Sequence, residues 1–372
     1  MYKIASILNL LCLIHGVVLG LILIQISSKQ KPSAMLGVFL LFFGLSFTSN
    51  VLNDYGISPQ NPFLIFLPFR FYFLIFPLLF LYIKKMTVGA SYLNEKKHLY
   101  PGLLEFCLLI CVFVLVPGED QFQLQNSLYY AGYMLSANLF GLWYLYKSWT
   151  LIQHHTIRIK NFHSSIERRL LNWLKPLLIV YLLITFCDFV LTIIQQGLKW
   201  DLEHIRNPLM IIYVIQCITY VVLTYWLAFY GVKQYYIYNS EYSENENLNE
   251  FVVKEEEDFT EFEGIFNLIC KLLDETKCYT NEDLTIVELA TLTKVHYRKL
   301  SKVINYQANC NFNTFINKYR VEEAKKIMKE NNRLGGLTLD VVGQEAGFKS
   351  RSSFYSAFKK FENKTPASFI KK

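Results

Sequence analysis

The chain has 372 residues, 53% of them hydrophobic and 18% charged, which is too apolar for an ordinary water-soluble protein of this length. Its net charge of +7 hides a division. Residues 1–230 carry 16 Lys+Arg against 9 Asp+Glu, residues 231–263 carry 2 against 10, and residues 264–372 carry 19 against 11. An apolar block, an acidic joint and a basic terminal module therefore follow one another, which excludes a single soluble globular domain.

Seven apolar runs are long enough to cross a hydrocarbon core, which takes ~20 helical residues. They lie near 4–26, 34–53, 63–83, 99–117, 126–149, 173–196 and 208–230. The first is too long for a secretion signal, and no small-residue cleavage site follows it. Lys and Arg concentrate in the odd loops (Lys29 and Lys31; Lys84, Lys85, Lys96 and Lys97; Arg158, Lys160, Arg168 and Arg169). The second loop has none, and the fourth has only acids. The positive-inside rule then predicts a multi-pass protein with its N-terminus outside and its C-terminal module in the cytosol. The outward loops are too short for a folded ectodomain. A signal would have to enter the bundle, bind shallow loops or be a property of the lipid itself.

Ionisable residues within spans are costly and are functional candidates by default. Three stand out: Arg70, Glu105 and Asp188. At 1.5 Å per residue, Arg70 and Asp188 fall about 10 and 12 Å from the outer ends of their spans. That makes a pair of opposite sign geometrically feasible, with Glu105 apart in the inner half. An ion pair that only fixes packing is the plainer alternative to a sensing role. The eight cysteines show no CxxC and no Cys/His ligand spacing, so neither a metal nor a cofactor is expected.

From Asn239 the chain reads NSEYSENENLNEFVVKEEEDFTEFEG, a solvated acidic tether. It would be a plain linker, or a competitor of DNA for the basic module, or a site where proteolysis releases that module. Phe259, Phe262, Phe266, Ile269, Leu272 and Leu273 then recur at helical spacing. This helix either packs on the module that follows or pairs two protomers.

Residues 284–372 hold two similar units. In LTIVELATLTKVHYRKLSKVINYQ a short helix with Leu289 and Ala290 leads through a tight turn to a second helix. There Leu300, Val303 and Ile304 share one face, leaving Arg298, Ser301 and Lys302 outside it. The second unit turns at Gly347-Phe348, and its last helix stacks Phe354, Ala357, Phe358 and Phe361 at i, i+3, i+4 and i+7. Arg351, Ser352, Ser356, Lys359 and Lys360 are left facing solvent. FNTFINKYRVEEAKKIMKENN between them predicts a helix of ~19 residues, about 28 Å. Such a spacer suits two recognition helices about one DNA turn apart. Lysines and arginines here can neutralise phosphates, and Arg298 and Arg351 can donate bidentately to guanine.

These residues carry a resemblance. Leu289-Ala290, Leu300-Ser301, Tyr319 to Met328, Gly347-Phe348, Ser353-Phe354, Phe358-Lys359 and Thr365-Pro366 resemble the DNA-binding domain of the AraC/XylS family of bacterial transcription regulators. The resemblance implies base-facing positions at Arg298, Ser301 and Lys302 in the first unit, and at Arg351, Ser352, Ser353 and Ser356 in the second. Gly343 stands where alanine is frequent, Ile370 where arginine is. Asn309 and Asn363 stand where glycine is common, and asparagine tolerates the left-handed backbone needed there. The membrane part is more loosely similar to seven-span sensor regions carried by some regulators of this family.

The expectation is an all-α chain: a seven-helix transmembrane sensor (1–230), an acidic linker (231–258) and a double helix-turn-helix reader (259–372) joined internally by a long helix. It would sit in the bacterial inner membrane among lipid, bind promoter DNA as a monomer or homodimer, and respond to an unidentified small or lipophilic signal. The chain shows no HExxH, GxSxG or Walker A loop to suggest a membrane enzyme. A receptor or transporter whose terminal module binds a protein partner is the alternative.

Overall fold

The computed structural model describes residues 2–26, 32–88, 96–166, 171–197, 206–241, 261–334 and 338–370, and among them no strand occurs. The chain divides into two units: residues 1–153 with 171–248, and residues 154–170 with 249–372.

The first unit is built from α1 (Tyr2–Ile26), α2 (Pro32–Leu45), α3 (Thr48–Asp54), α4 (Ile57–Gln60), α5 (Tyr72–Val88), α6 (Tyr100–Leu115), α7 (Gly118–Gln125), α8 (Leu128–Phe162, up to Gln153), α9 (Leu174–Gly197) and α10 (Arg206–Glu241). Five segments are long and apolar enough to cross a membrane: 3–26, 33–54, 96–115, 174–193 and 209–233. Two of the seven expected spans depart from that. The run at 63–83 is not one helix, since α5 starts only at Tyr72 and has 17 residues. Before it, Pro62 opens a single 3-10 turn, Pro68 has no N–H to donate, and Phe71 takes φ 54°. The run at 126–149 is helical throughout α8, but Tyr129, Tyr130, Tyr133, Ser136 and Asn138 dilute its hydropathy.

α1 and α2 pack backbone against backbone. A Cβ on Gly16 would lie 2.6 Å from Gly44 Cα, and one on Gly20 would lie 2.7 Å from Leu41 N and 2.8 Å from Gly37 O. Small residues four apart allow this approach where hydrophobic burial gives helices no reason to associate. Gly20→Leu should therefore push α1 from α2 and cost at least about 1–3 kcal/mol. Size-exclusion profiles and thermal melts in detergent would register it as aggregation or an early transition, and an unchanged melt would refute the close packing.

The second unit contains α11 (Phe262–Thr276), α12 (Ile286–Thr293), α13 (Tyr297–Gln307), α14 (Phe312–Leu334), α15 (Leu339–Glu345), α16 (Arg351–Glu362) and α17 (Pro366–Ile370). It also includes the end of α8 from His154 onward. The residues of the acidic joint from 242 to 260, Phe259 among them, lie outside the described residues, as do Leu337 and the side chain of Ile370. α11 buries Phe262, Ile265, Ile269 and Leu273 and packs on α12 and α13.

α14 has 23 residues, about 34 Å of helix, and serves two cores. Its first half gives Phe312, Phe315 and Ile316 to a core with Leu289, Leu300, Val303 and Ile304. Its second half gives Val321, Ala324 and Met328 to a core with Val342, Phe348, Phe354 and Phe358. Local chemistry closes the helices. Thr285 and Glu288 form a reciprocal capping box on α12, and Ser350 and Ser353 form one on α16. Asn309 and Asn363 adopt φ 49° and 55°, the left-handed backbone expected of them.

Candidate functional site

Each helix-turn-helix unit keeps its second helix anchored by apolar side chains and turns a polar face outward. On α13, Leu300, Val303 and Ile304 are fully buried. Arg298 and Lys302 are exposed on the same helix, and Ser301 is half-buried between them. On α16, Phe354 and Phe358 are fully buried, whereas Arg351, Ser352, Ser356, Lys359 and Lys360 are exposed. Ser353 differs from its neighbours: its Oγ donates to Ser350 O at 2.8 Å and accepts from Ser350 N at 3.3 Å. That hydroxyl is committed to the helix cap.

The two arginines share a setting that periodicity alone did not disclose. The Arg298 guanidinium lies 5.8 Å from the Tyr297 ring centroid and its Nε donates to the Tyr297 hydroxyl at 3.2 Å. The Arg351 guanidinium lies 5.1 Å from the Tyr355 ring, with Nε 3.3 Å from Asp340 Oδ1. An aromatic face and a flanking acceptor restrict a long side chain before it meets a ligand. Lys360 Nζ donates to Thr314 Oγ1 at 3.3 Å, so it sits beside the start of α14.

Arg320 joins the parts of this unit. It is 1% exposed, and its Nε donates to Tyr279 O at 2.7 Å and its Nη2 to Asn281 O at 2.7 Å and Ser164 Oγ at 2.9 Å. Its guanidinium also lies 5.9 Å from the Phe348 ring. Burial pushes the guanidinium down to about 10, against the opposing field of Asp283 and Glu282, so it stays charged at neutral pH. Ser164 is held further by its N–H donating to Leu284 O at 3.1 Å and by Asn313 donating to its carbonyl. Gly347 (φ +90°) completes the junction, because a Cβ there would meet Thr280 Cα at 2.7 Å. Gly343 lies close enough that its Cβ would touch the Phe354 ring at 3.0 Å, which accounts for glycine where alanine is frequent.

Glu323 lies one turn on from Arg320 and accepts from Lys277 Nζ at 2.7 Å and from the Tyr279 hydroxyl at 3.2 Å. Burial pushes its carboxyl up, but the Lys277 bond and charge with the Tyr279 bond outweigh this and hold it below the usual range. A carboxyl lowered in the folded state stabilises it above the ordinary glutamate range, and that stabilisation is lost as pH falls through the folded value. The reader should thus weaken below about pH 4–5, and Glu323→Gln should flatten that part of the profile in acid titrations followed by circular dichroism.

In the first unit the three ionisable candidates are arranged differently from the expected pair. Arg70 does not meet Asp188. It donates to Ile65 O at 2.7 Å and to the Tyr130 hydroxyl, and lies 5.3 Å from the Phe66 ring. Glu105 accepts from the N–H groups of Tyr72 and Phe73 at 3.1 and 3.0 Å and from the Tyr133 hydroxyl at 2.6 Å. It therefore caps α5 two residues from Arg70. The late start of α5 moves that helix end to α6, which depth counted along an unbroken span could not foresee. Asp188 stands apart, accepting from Gln216 Nε2 at 2.7 Å. A further polar cluster went unread: Asn9, fully buried on α1, donates to Asp54 Oδ2 at 2.7 Å and the Tyr213 hydroxyl at 2.8 Å. An asparagine inside an apolar run was its signal.

Residues 289–372 match the family model described as a helix-turn-helix domain. No curated protein and no solved structure matches the chain. With both recognition helices, their caps and the shared α14 in place, residues 289–372 are a helix-turn-helix domain of the AraC type, the DNA-binding part of a transcription regulator.

Proposed function

We propose that the chain is a membrane-embedded, one-component transcription regulator: residues 1–230 sense a signal in or at the bilayer of a bacterial inner membrane, 231–258 link, and 259–372 read a promoter. The observation that carries this is the surface of the first unit. Leu104, Val114, Leu115, Leu183, Val222 and Phe229 are each more than half exposed on helices long enough to span a bilayer. Water would penalise that surface heavily, and lipid would not. The basic odd loops argue for a cytosolic reader, with Arg298, Ser301 and Lys302 on one half-site and Arg351, Ser352, Ser356, Lys359 and Lys360 on the next.

Chain continuity supports a route for the signal. α8 is one helix whose residues to Gln153 belong to the first unit and whose residues from His154 belong to the second. Two residues past its end, Ser164 is gripped by Arg320 at the junction of the two DNA-reading units. A movement along α8 would thereby reach the joint that sets their spacing. The shift requires a signal with unequal affinity for two states.

Carbonate-washed membranes from cells cross-linked to DNA test the reading. The full-length chain should stay in the pellet and bring down a discrete set of promoter fragments. Recovery of the reader in the soluble fraction alone would point to release by proteolysis. Recovery of protein without DNA would favour a module that binds a protein partner.

A further inference from the structure

The first unit contains a cavity of about 730 Å³ among α2, α3, α5, α8, α9 and α10, within the range typical of small-molecule sites. Tyr72, Phe76, Tyr181 and Tyr220 are among the aromatic residues that line it. Asp188 is the single acidic residue among its described lining, which includes no lysine, arginine or histidine. Arg70, the cation nearest in expected depth, is bound to Ile65 O and Tyr130 instead. Asp188 holds two neutral donors, Gln216 and Tyr220, both from α10. A carboxylate lining a cavity inside a helical bundle is stabilised in its charged form by a positive partner, and aromatic faces attract cations through their quadrupoles.

We propose that this cavity binds an organic ammonium with an apolar body, its nitrogen at Asp188 and its body against the aromatic rings. The inference rests on the first unit being the sensor and names the ligand class for it. The lining combines one negative charge, several π faces and an apolar remainder. That combination selects an amine over a neutral molecule of equal shape and over any anion. Occupancy would draw α9, which carries Asp188, toward α10, which carries Gln216 and Tyr220 and continues to Glu241.

The test uses the full-length protein in nanodiscs of zwitterionic lipid, with thermal stability and calorimetric binding as readouts. The probes are hexylammonium, phenethylammonium and 2-(indol-3-yl)ethylammonium, each paired with the alcohol of the same skeleton. Each ammonium should bind about tenfold or more tightly than its alcohol. Asp188→Asn should erase that preference while leaving the alcohols unchanged. Leu191→Trp narrows the cavity while keeping the carboxylate and should weaken binding of both. Equal binding of ammonium and alcohol, no binding of any probe to folded wild-type protein, or preference retained in Asp188→Asn would overturn the proposal. The wild-type comparison stands even where a variant misfolds. Binding is read without DNA, so a negative result leaves the promoter-reading function untouched, and loss of DNA binding leaves this result untouched.

Discussion

Replacing Arg320 by methionine is expected to destabilise the reader by about 3–5 kcal/mol, because a charged hydrogen-bond hub is removed while Tyr279 O and Ser164 Oγ stay buried. Methionine keeps much of the volume, so the loss is of bonds rather than of packing. Tyr279 O and Asn281 O would each lose a charge-assisted donor, and Ser164 would lose its anchor. Arg320→Lys should recover only part, since one ammonium cannot reach in the directions served by a planar fork. Urea unfolding of a 261–372 fragment, followed by circular dichroism, measures the Tyr279 and Asn281 share. Hydrogen exchange of the full chain adds the Ser164 share, as faster exchange in Phe162 to Ser164 and at the start of α14. A change below about 1 kcal/mol would mean that the two half-units are joined by apolar packing alone.

What the sequence disclosed followed from local rules. Buried and exposed faces of α13 and α16 came from 3.6-residue periodicity, and the left-handed asparagines came from the resemblance, which puts glycine at their positions. The reader's long helix was underestimated by four residues, within ordinary end uncertainty. The illegible parts depended on distant partners. Ser164 and Arg320 are 156 residues apart in the chain, so no periodicity joins them. Arg70 and Asp188 looked like a pair because charge and depth were counted on an unbroken helix, and Phe71 breaks it. Gly16 and Gly20 went unremarked in the sequence and become meaningful only against Gly37 and Gly44. The commitment of Ser353 to a cap is decided by Ser350, three residues earlier, and was readable in principle as a capping pair.

Arg298→Ala and Arg351→Ala are expected to weaken DNA binding by about 1–3 kcal/mol each, and at different half-elements. Each arginine rests on a tyrosine of its own helix, so the loss should concentrate at one or two base pairs rather than spread evenly. Tyr355→Leu should reproduce a fraction of the Arg351 effect by freeing the guanidinium without removing it. Lys359→Ala, by contrast, should weaken all sequences alike and reduce the salt slope by about one. Competition binding across single-base variants, repeated at two salt concentrations, separates these outcomes. Uniform weakening by Arg298→Ala would reassign that residue to the phosphates.

The most direct test of the central claim is selection of DNA from a random pool by the full-length protein held in nanodiscs. The expected product is a motif of two half-elements centred about ten base pairs apart, set by the spacing of α13 and α16 along α14. Arg298→Ala should degrade one element and Arg351→Ala the other. Sequence-blind, salt-sensitive retention by the folded protein, or no retention at all, would contradict it.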